Sequence, residues 1–246
     1  MYPESVSILG LSVNSFGVML ALAFLCAYLV ASRELRRKGA PDGLAADMFL
    51  WVVVCSVAGA KLFFTVENFT LAQIASDPFG AFFSRGGLTF YGGLGGGLAA
   101  GIYRARKSGF GVLKTLDATA PALALAYAVG RVGCLLIGDD YGTASSLPWA
   151  MAFPEGSPPV DFTVHPTQIY ETLLMTGVFA VLWSRRKAER ADGRQFALYL
   201  TLAGTERFFV EFIRTTTPSP IDGLSVAQVI SFLMIVLGVA RLMRRP

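Results

Sequence analysis

Long apolar segments, separated by shorter polar stretches, dominate this chain. No charged residue occurs between Ser5 and Ser32, and that run exceeds the ~20 apolar residues needed to cross the hydrocarbon core of a bilayer. Comparable segments cover residues 11–32, 47–68, 88–103, 117–137, 168–184, 195–213 and 224–243. The pattern predicts an all-α polytopic membrane protein with about seven transmembrane helices, folded as a single transmembrane domain over residues 1–246.

The composition excludes an ordinary soluble domain. Hydrophobic residues make up 54% of the chain and charged residues only 15%, whereas soluble domains carry about 25% charged residues. The three cysteines, at positions 26, 55 and 134, show no CxxC spacing. We therefore expect neither a disulfide framework nor a zinc site.

Basic residues indicate the topology. Sixteen of the 21 lysines and arginines lie in four clusters, which follow the first, third, fifth and last apolar segments. Because short cytoplasmic loops collect Lys and Arg, we expect a multi-pass protein of the bacterial cytoplasmic (inner) membrane, with its N-terminus outside and its C-terminus in the cytoplasm. The first basic residue, Arg33, follows the first apolar run, which indicates a retained helix and not a cleaved signal peptide.

Five basic residues remain, and all fall within apolar segments or at their outer ends: Lys61, Arg85, Arg131, Arg207 and Arg214. A charge at membrane depth costs about 2.5–3.5 kcal/mol on insertion scales. Such residues therefore tend to face a cavity or a partner. A functional site and a structural ion pair are the two explanations that the sequence leaves open.

Two long connections lie on the predicted outer side, over residues 69–87 and 138–167. The second is rich in turn-forming residues, as in Gly138-Asp139-Asp140-Tyr141-Gly142. This composition predicts a small extracytoplasmic cap loop over residues 138–167.

A charged cluster towards the outer side is the strongest candidate for chemistry. Arg131 lies near the outer end of the fourth segment, while Arg207, Glu211 and Arg214 follow one another at spacings that place them on one helical face. Two arginines with one glutamate leave a net positive face, and guanidinium forks match phosphate oxygens. An outward-facing anion site within a bilayer suggests a phospholipid head group as its ligand.

The only histidine and the acid that follows it mark the start of the fifth helix. His165 precedes Pro166, which can open a helix. An unperturbed pKa near 6.5 suits a proton acceptor, although His165 bracing the cap loop is the alternative. Glu171 is expected to pair with an arginine rather than to take part in chemistry.

Four blocks of sequence, in order along the chain, resemble the prolipoprotein diacylglyceryl transferase family. They are GGLTFYGG at 86–93, GRVG through GDDYG and PW at 130–149, HPTQIYE at 165–171, and RFFVEFIR at 207–214. Any one block alone is weak. Together, at family-like spacing and with seven segments of the same topology, they make a strong match over most of the chain.

The resemblance implies transfer of the diacylglyceryl group of phosphatidylglycerol to the thiol of a lipobox cysteine in a prolipoprotein signal peptide, with release of glycerol phosphate. Such an enzyme must stabilise a departing phosphate and remove a thiol proton. The implied partners are phosphatidylglycerol, the prolipoprotein signal peptide and membrane lipids, with no nucleic acid. No metal or organic cofactor is implied.

The family positions also imply the site residues. The catalytic set is Arg131, Arg207, Tyr91, His165 and Glu211, in which the two arginines hold and neutralise the phosphate and the glutamate orients Arg207 or Arg214. The residues expected to bind substrates are Arg214, Gly142, Cys134, Asp139, Lys61, Gly92, Gly93, Gln168, Tyr170 and Glu171. Glycines 92 and 93 also permit close approach of another helix or a lipid.

The chain departs from the family pattern in three places. Tyr91 stands where the family usually has histidine, Cys134 and Ile137-Gly138-Asp139 stand where Asn and Asn-Gly-Glu are usual, and Ser15-Phe16-Gly17 replaces Arg-Tyr-Gly. Because an ordinary tyrosine pKa is about 10, Tyr91 can act as a base only if its pKa is strongly perturbed or it is already ionised, and the role expected of it is to donate a hydrogen bond to a phosphate oxygen. His165 or solvent would then accept the thiol proton.

These departures leave two other functions open. A divergent phospholipid-dependent transferase with another acceptor is favoured by Tyr91 and Cys134. A lipid or solute transporter belongs to a different class and would be expected to show internal repeats with paired broken helices. The polar groups here cluster instead towards one face.

Overall fold

The structure, a computed structural model, describes residues 6–8, 11–13, 15–83, 89–188, 191–214 and 223–244. Within these ranges seven helices have 17 residues or more: α1 (Ser15–Arg37), α2 (Leu44–Asn68), α5 (Phe90–Lys107), α6 (Val112–Ile137), α7 (Thr167–Arg185), α8 (Arg194–Val210) and α9 (Val226–Met243). Four of them, α1, α2, α6 and α9, are long and apolar enough to cross a membrane. The predicted all-α membrane protein is confirmed at this level.

Short elements fill the connections. Two strands, β1 (Val6–Ile8) and β2 (Leu11–Val13), pair antiparallel before α1, so the predicted first segment begins as a strand and continues as helix α1 from Ser15. Between α2 and α5 lie the short helices α3 (Leu71–Ser76) and α4 (Pro78–Phe82). Between α6 and α7, strands β3 (Met151–Phe153) and β4 (Val160–Val164) form an antiparallel hairpin.

The chain divides into two compact units, which are described separately. The first unit comprises Met1–Glu34 and Leu116–Pro246, and the second comprises Leu35–Thr115. The single domain predicted over residues 1–246 stays a prediction.

Small residues on α6 allow close packing against α7 and α8 in the first unit. Ala120, Ala124 and Ala128 recur every fourth residue and share one helical face. They pack with Met175, Val178, Leu182 and Ala203 in a buried apolar cluster. This face directs the following turns of α6, including Arg131, towards the start of α7 and the end of α8.

A buried carboxylate at the start of α6 fixes the beginning of α8. Asp117 accepts hydrogen bonds from the backbone N–H groups of Gly193 at 2.7 Å and Phe196 at 2.8 Å. These donors belong to the first turn of a helix, where no intrahelical acceptor exists. The contact sets the register between α6 and α8, the two helices that carry Arg131 and Arg207.

Glycines bring α2 and α5 together in the second unit. A β-carbon on Gly92 would lie 2.3 Å from the carbonyl oxygen of Gly59, and one on Gly96 would lie 2.1 Å from that of Cys55. The backbones therefore approach more closely than any side chain would allow. The close helix packing that the sequence suggested for these glycines is confirmed.

Candidate active site

Glu171 is the centre of a charged network in the first unit. It lies in the second turn of α7 and is fully buried. Its carboxylate contacts the guanidinium groups of three arginines that come from different parts of the chain, namely Arg131, Arg207 and Arg214. The expectation that Glu171 pairs with an arginine is confirmed.

Arg131 makes the tightest of these contacts. Its Nε lies 2.5 Å from Glu171 Oε2, and its Nη2 donates to Oε1 at 3.0 Å. Its Nη1 donates to Asp140 Oδ2 at 2.7 Å and lies 3.5 Å from Cys134 Sγ. This two-point contact is the bidentate geometry expected of a strong arginine–carboxylate pair, and all three nitrogens of Arg131 already have protein partners.

Arg207 is held more loosely and is the most exposed of the three arginines. Its Nη2 lies 2.6 Å from Glu211 Oε2, but its Nη1 lies 3.3 Å from Glu171 Oε1. Its side chain is 23% exposed, against 10% for Arg131 and 9% for Arg214. The pairing of Arg207 with Glu211 across one helical turn follows the predicted spacing.

Arg214 does not lie on the same helix as Arg207, which corrects the prediction of one shared helical face. Helix α8 ends at Val210, and the chain then turns and forms an antiparallel bridge between Arg214 and Gly142. The backbone N–H of Thr143 donates to Ile213 O at 2.8 Å. The helix ends here because the segment after Glu211 pairs with the loop that follows α6.

Arg214 reaches the network from this bridge. Its Nη2 lies 2.5 Å from Asp140 Oδ1, and its Nη1 lies 3.7 Å from Glu171 Oε1. Its Nε is buried and has no hydrogen-bond partner among the described residues. A buried donor without an acceptor is costly, so this N–H group is available to donate a hydrogen bond to an anionic ligand.

The loop after α6 is shaped to present Asp140. Asp140 has a φ of 60° and is the only residue other than glycine with a positive φ in the described part of the chain. Aspartate tolerates this left-handed conformation better than most residues. Two side chains from the start of α7 hold the loop: Thr167 Oγ1 donates to Asp140 O at 2.6 Å, and Gln168 Nε2 donates to Asp139 O at 2.5 Å.

The two adjacent aspartates of this loop differ in their electrostatic environment. Partial burial raises the pKa of Asp139 above its ordinary value, and its buried Oδ1 has no hydrogen-bond partner among the described residues. Burial acts in the same direction on Asp140, but the charge of Arg214, together with the hydrogen bond and charge of Arg131, lowers the pKa of Asp140 below its ordinary value. Asp140 is therefore an ionised partner of the arginines.

Carboxylates offset the charge of the three arginines among the described residues. The arginines form ion pairs with the carboxylates of Asp140, Glu171 and Glu211. The net positive face predicted from Arg207, Glu211 and Arg214 alone is therefore wrong, because that expectation did not include Asp140 and Glu171. An entering anion must compete with carboxylates for guanidinium donors, and the long contacts of Arg207 and Arg214 to Glu171 are the ones it can replace.

Three potential metal ligands also meet at this loop. Single ligand atoms of Cys134, Asp139 and Asp140 lie within 4.8 Å of one another. Arg131 contacts both Cys134 and Asp140, so a guanidinium cation already stands beside these groups. We assign no metal to them.

His165 belongs to a chain of polar contacts that joins the loop to α7. Trp149 Nε1 donates to Tyr170 Oη at 2.7 Å, and Tyr170 Oη lies 3.3 Å from His165 Nδ1. If the Nδ1 proton points to Tyr170, the other ring nitrogen, Nε2, is the acceptor. Both the brace and the proton acceptor that the sequence suggested for His165 are compatible with this geometry.

Comparison with known proteins adds a second line of observation. Residues 3–244 match the family model described as prolipoprotein diacylglyceryl transferase. The chain belongs to this family. Three relatives bear the name phosphatidylglycerol–prolipoprotein diacylglyceryl transferase: those of Clostridium tetani (32% identical, covering 97% of this chain and 96% of the relative), Gloeobacter violaceus (33%, 96% and 90%) and Geobacter sulfurreducens (32%, 91% and 87%).

The remaining candidate residues of this diacylglyceryl transferase family member lie in the second unit. Tyr91 is in the first turn of α5 and is 47% exposed. Lys61 lies on α2, with its Nζ 5.1 Å from the centroid of the Phe64 ring. Gly92 and Gly93 face α2. Arg85 and residues 86–88 of the first family-like block fall outside the described residues.

The second unit also contains a cavity of about 430 Å³, at the opposite end of α5 from Tyr91. It is lined by Pro41, Asp42, Gly43, Leu44, Asp47, Arg104, Lys107 and Ser108. An ion pair between Asp47 and Arg104 crosses its wall. None of the residues predicted for the transferase site lines this cavity.

Sequence reasoning missed three side chains that contact the network or its supports. The sequence shows Asp140 as a turn former within a family-like block and Trp149 as part of the same block, with no role for either side chain, and it gives Tyr127 no role at all. Tyr127 lies one helical turn before Arg131, and this spacing of four was the available signal.

Proposed function

We propose that this protein transfers the diacylglyceryl group of phosphatidylglycerol to the thiol of a lipobox cysteine in a prolipoprotein signal peptide. Its family membership and the names of its relatives support this reaction. The single structural observation that carries the assignment is the convergence of Arg131, Arg207 and Arg214 on Glu171. Guanidinium groups gathered in this way suit the phosphate of a lipid head group.

The three arginines have different roles in binding the phosphate. Arg131 is fixed by two contacts to Glu171 and contributes positive charge at short range. Arg207 is the most exposed and is loosely bound to Glu171, so its Nη1 turns to a phosphate oxygen. Glu211 keeps the other end of Arg207 in place, and the unsatisfied Nε of Arg214 completes the site.

The chemical step exchanges one bond for another. The thiolate sulfur of the acceptor cysteine attacks the glycerol carbon that bears the phosphate ester, a C–S bond forms, and the C–O bond to phosphate breaks. Glycerol phosphate leaves with the bonding electrons, and the arginines stabilise the charge that develops on it. The thiol proton passes to His165 Nε2 or to solvent, and Tyr91 donates a hydrogen bond to the phosphate.

Other expected substrate contacts are supported less directly. Cys134 and Asp139 lie beside Arg131 and Asp140, respectively, and Gln168 and Tyr170 support the loop and His165. Lys61 contributes positive potential, while Gly92, Gly93 and Gly142 allow neighbouring protein segments to pack closely beside them. These roles are part of the proposal.

The proposed topology has all seven long helices crossing the bacterial inner membrane. Basic residues occupy the last turns of α1, α5, α7 and α9, which supports a cytoplasmic location for those ends. The N-terminus then lies outside and the C-terminus inside. The hairpin β3–β4 with its flanking loops forms the extracytoplasmic cap over residues 138–167, and both substrates reach the site from the membrane.

The test is a transfer assay with purified protein, labelled phosphatidylglycerol and a synthetic lipobox peptide. The expected product is a peptide with a thioether-linked diacylglyceryl group, detected by mass spectrometry. Replacing the peptide cysteine by serine should abolish the product. Absence of product with a peptide that another member of the family accepts would contradict the proposal.

Two substitutions test the phosphate assignment within that assay. Arg131→Ala and Arg207→Ala should each reduce turnover to background. The matched control is Arg185→Ala, at the far end of α7, where the side chain is exposed. Normal turnover in both site variants would refute the assignment.

A transferase with a different acceptor is the second candidate, and it is favoured by Tyr91 and Cys134. Release of glycerol phosphate that depends on a secreted protein without a lipobox would support it. Tyr91→His should then leave the lipobox peptide a poor substrate, whereas a lipobox-specific enzyme should accept this substitution with an added inflection of the rate near pH 6.5. Transport would instead require substrate flux across sealed vesicles.

A further inference from the structure

Tyr127 contacts two members of the charged network at once. Its hydroxyl donates to Glu171 Oε1 at 3.1 Å, and its ring centroid lies 5.4 Å from the guanidinium carbon of Arg131. Tyr127 lies on α6, one turn before Arg131, and packs against the apolar cluster formed by α6, α7 and α8. The phenol ring thus joins the rigid core of the first unit to the charged side chains.

We propose that Tyr127 is a positioning residue of the transferase site, which holds Glu171 and Arg131 in the arrangement that receives the phosphate of phosphatidylglycerol. The inference rests on the function proposed above. Tyr127 itself touches neither substrate and acts through these two side chains.

The hydroxyl of Tyr127 donates to Glu171 Oε1, the carboxylate oxygen that Arg131 and Arg207 share. Glu171 Oε1 also receives Arg131 Nη2 at 3.0 Å and Arg207 Nη1 at 3.3 Å. When Arg207 Nη1 binds a phosphate oxygen instead, Glu171 Oε1 loses one hydrogen-bond donor. The Tyr127 hydroxyl keeps it satisfied, because an ionised carboxylate oxygen accepts several hydrogen bonds, so Glu171 and Arg131 stay in place.

The ring of Tyr127 acts on Arg131. An arginine within about 6 Å of an aromatic face is attracted to it, and the attraction is larger where water is excluded. Arg131 is buried. The ring therefore steadies the guanidinium group from one side while Glu171 and Asp140 bind it from the other.

Two substitutions separate these contributions. Tyr127→Phe removes the hydroxyl and keeps the ring, whereas Tyr127→Leu removes both. Tyr199→Phe is the matched control, since Tyr199 packs against the same apolar cluster and its ring lies against Phe196. Far-UV circular dichroism and thermal unfolding in detergent verify that each variant is folded.

The first measurement is steady-state kinetics of the transfer reaction, with lipid and peptide varied separately. Loss of one hydrogen bond should raise the KM for phosphatidylglycerol about threefold to tenfold in Tyr127→Phe. Tyr127→Leu should raise it further, the KM for the peptide should stay within about twofold, and Tyr199→Phe should change neither value. Partial misfolding lowers the maximal rate and leaves both KM values unchanged, so it cannot produce this pattern.

The second measurement is the binding of short-chain phosphatidylglycerol by calorimetry in detergent, which requires no turnover. Tyr127→Phe should bind the lipid at least about threefold more weakly than the wild type. Equal affinity and equal KM in Tyr127→Phe, together with loss of turnover in Arg131→Ala, would overturn the role of Tyr127 and leave the proposed function intact. A wild type that neither binds nor transfers the lipid would overturn both.

Discussion

Arg214 forms an antiparallel backbone bridge with Gly142, at a point where Gly142 has no room for a side chain. A β-carbon on Gly142 would lie 2.5 Å from Ile213 O and 2.8 Å from His165 Cβ. The loop after α6, the start of α7 and the turn after α8 therefore meet at one glycine. Because these three segments carry Asp140, Glu171 and Arg214, their close approach brings the charges together.

Gly142→Ala should accordingly damage both stability and activity. The added methyl group must displace backbone, and overpacking of this kind costs about 1–3 kcal/mol of unfolding free energy. The displacement moves Arg214 away from Asp140, so transfer should fall by at least about tenfold. Thermal unfolding in detergent and the transfer assay measure the two effects.

Gly177→Ala is the control for this substitution. Gly177 lies on α7, where a β-carbon meets nothing within 4 Å, and alanine in a helix interior is favoured over glycine by about 1 kcal/mol. This variant should be at least as stable as the wild type. A Gly142→Ala protein that behaves in the same way would show that the bridge is not tightly packed.

Glu171→Gln tests the buried carboxylate as the centre of the network. Glutamine has the same size but leaves the charges of three arginines without their shared counter-ion. Removal of one partner from a buried ion pair costs about 3–5 kcal/mol, so the unfolding temperature and the transfer rate should both fall. Glu155→Gln, in an exposed loop, should change stability by less than about 0.5 kcal/mol, and an equal loss in both variants would contradict the prediction.

The neighbouring aspartates should respond to pH with opposite signs. The folded-state pKa of Asp140 is lowered, so its stabilising contribution is fully present above the unfolded value of about 3.9 and is lost as the pH falls through the folded pKa. The folded-state pKa of Asp139 is raised by burial. Its ionised form therefore costs stability at neutral pH, and this cost disappears as the pH falls to about 3.9.

Two asparagine variants measure these contributions. Asp140→Asn should lower the unfolding temperature at pH 7, and Asp139→Asn should raise it. Both differences from the wild type should shrink in acid. Thermal unfolding between pH 3 and 7 provides the measurement, and the same sign of change in both variants at pH 7 would be incompatible with the environments described.

The sequence predicted the helices better than it predicted the network. Apolar length depends only on local residues, so the seven long helices lie close to the expected segments. The family resemblance implied that Glu211 orients Arg207 or Arg214, and the ion pair that forms is with Arg207. Arg214 was misplaced because the end of α8 depends on pairing with Gly142, a contact between segments distant in sequence that no local pattern encodes.

The carboxylates that pair with the arginines could also not be predicted from local sequence patterns. Asp140 occurs among turn-forming residues. Its ion pairs with Arg131 and Arg214 depend on a left-handed backbone conformation that places its carboxylate between them. Tyr127 resembles any aromatic residue on an apolar helix until the partner of its hydroxyl is known. Only the packing of α6 against α7 reveals that this partner is Glu171.

Arg207→Lys provides the sharpest test of guanidinium geometry, because it keeps the charge and changes only its shape. Arg207 contacts Glu211 with one terminal nitrogen and Glu171 with the other. An ammonium group is a single point charge without this planar fork, so it cannot hold Glu211 while turning a second donor to phosphate. We expect kcat/KM for phosphatidylglycerol to fall by at least about tenfold, equivalent to about 1.4 kcal/mol, with little change in unfolding temperature.

Arg185→Lys, in an exposed position at the far end of α7, should retain wild-type kinetics. If Arg207→Lys does so too, positive charge alone suffices at this position, and the assignment of a two-point guanidinium contact to the phosphate must be withdrawn.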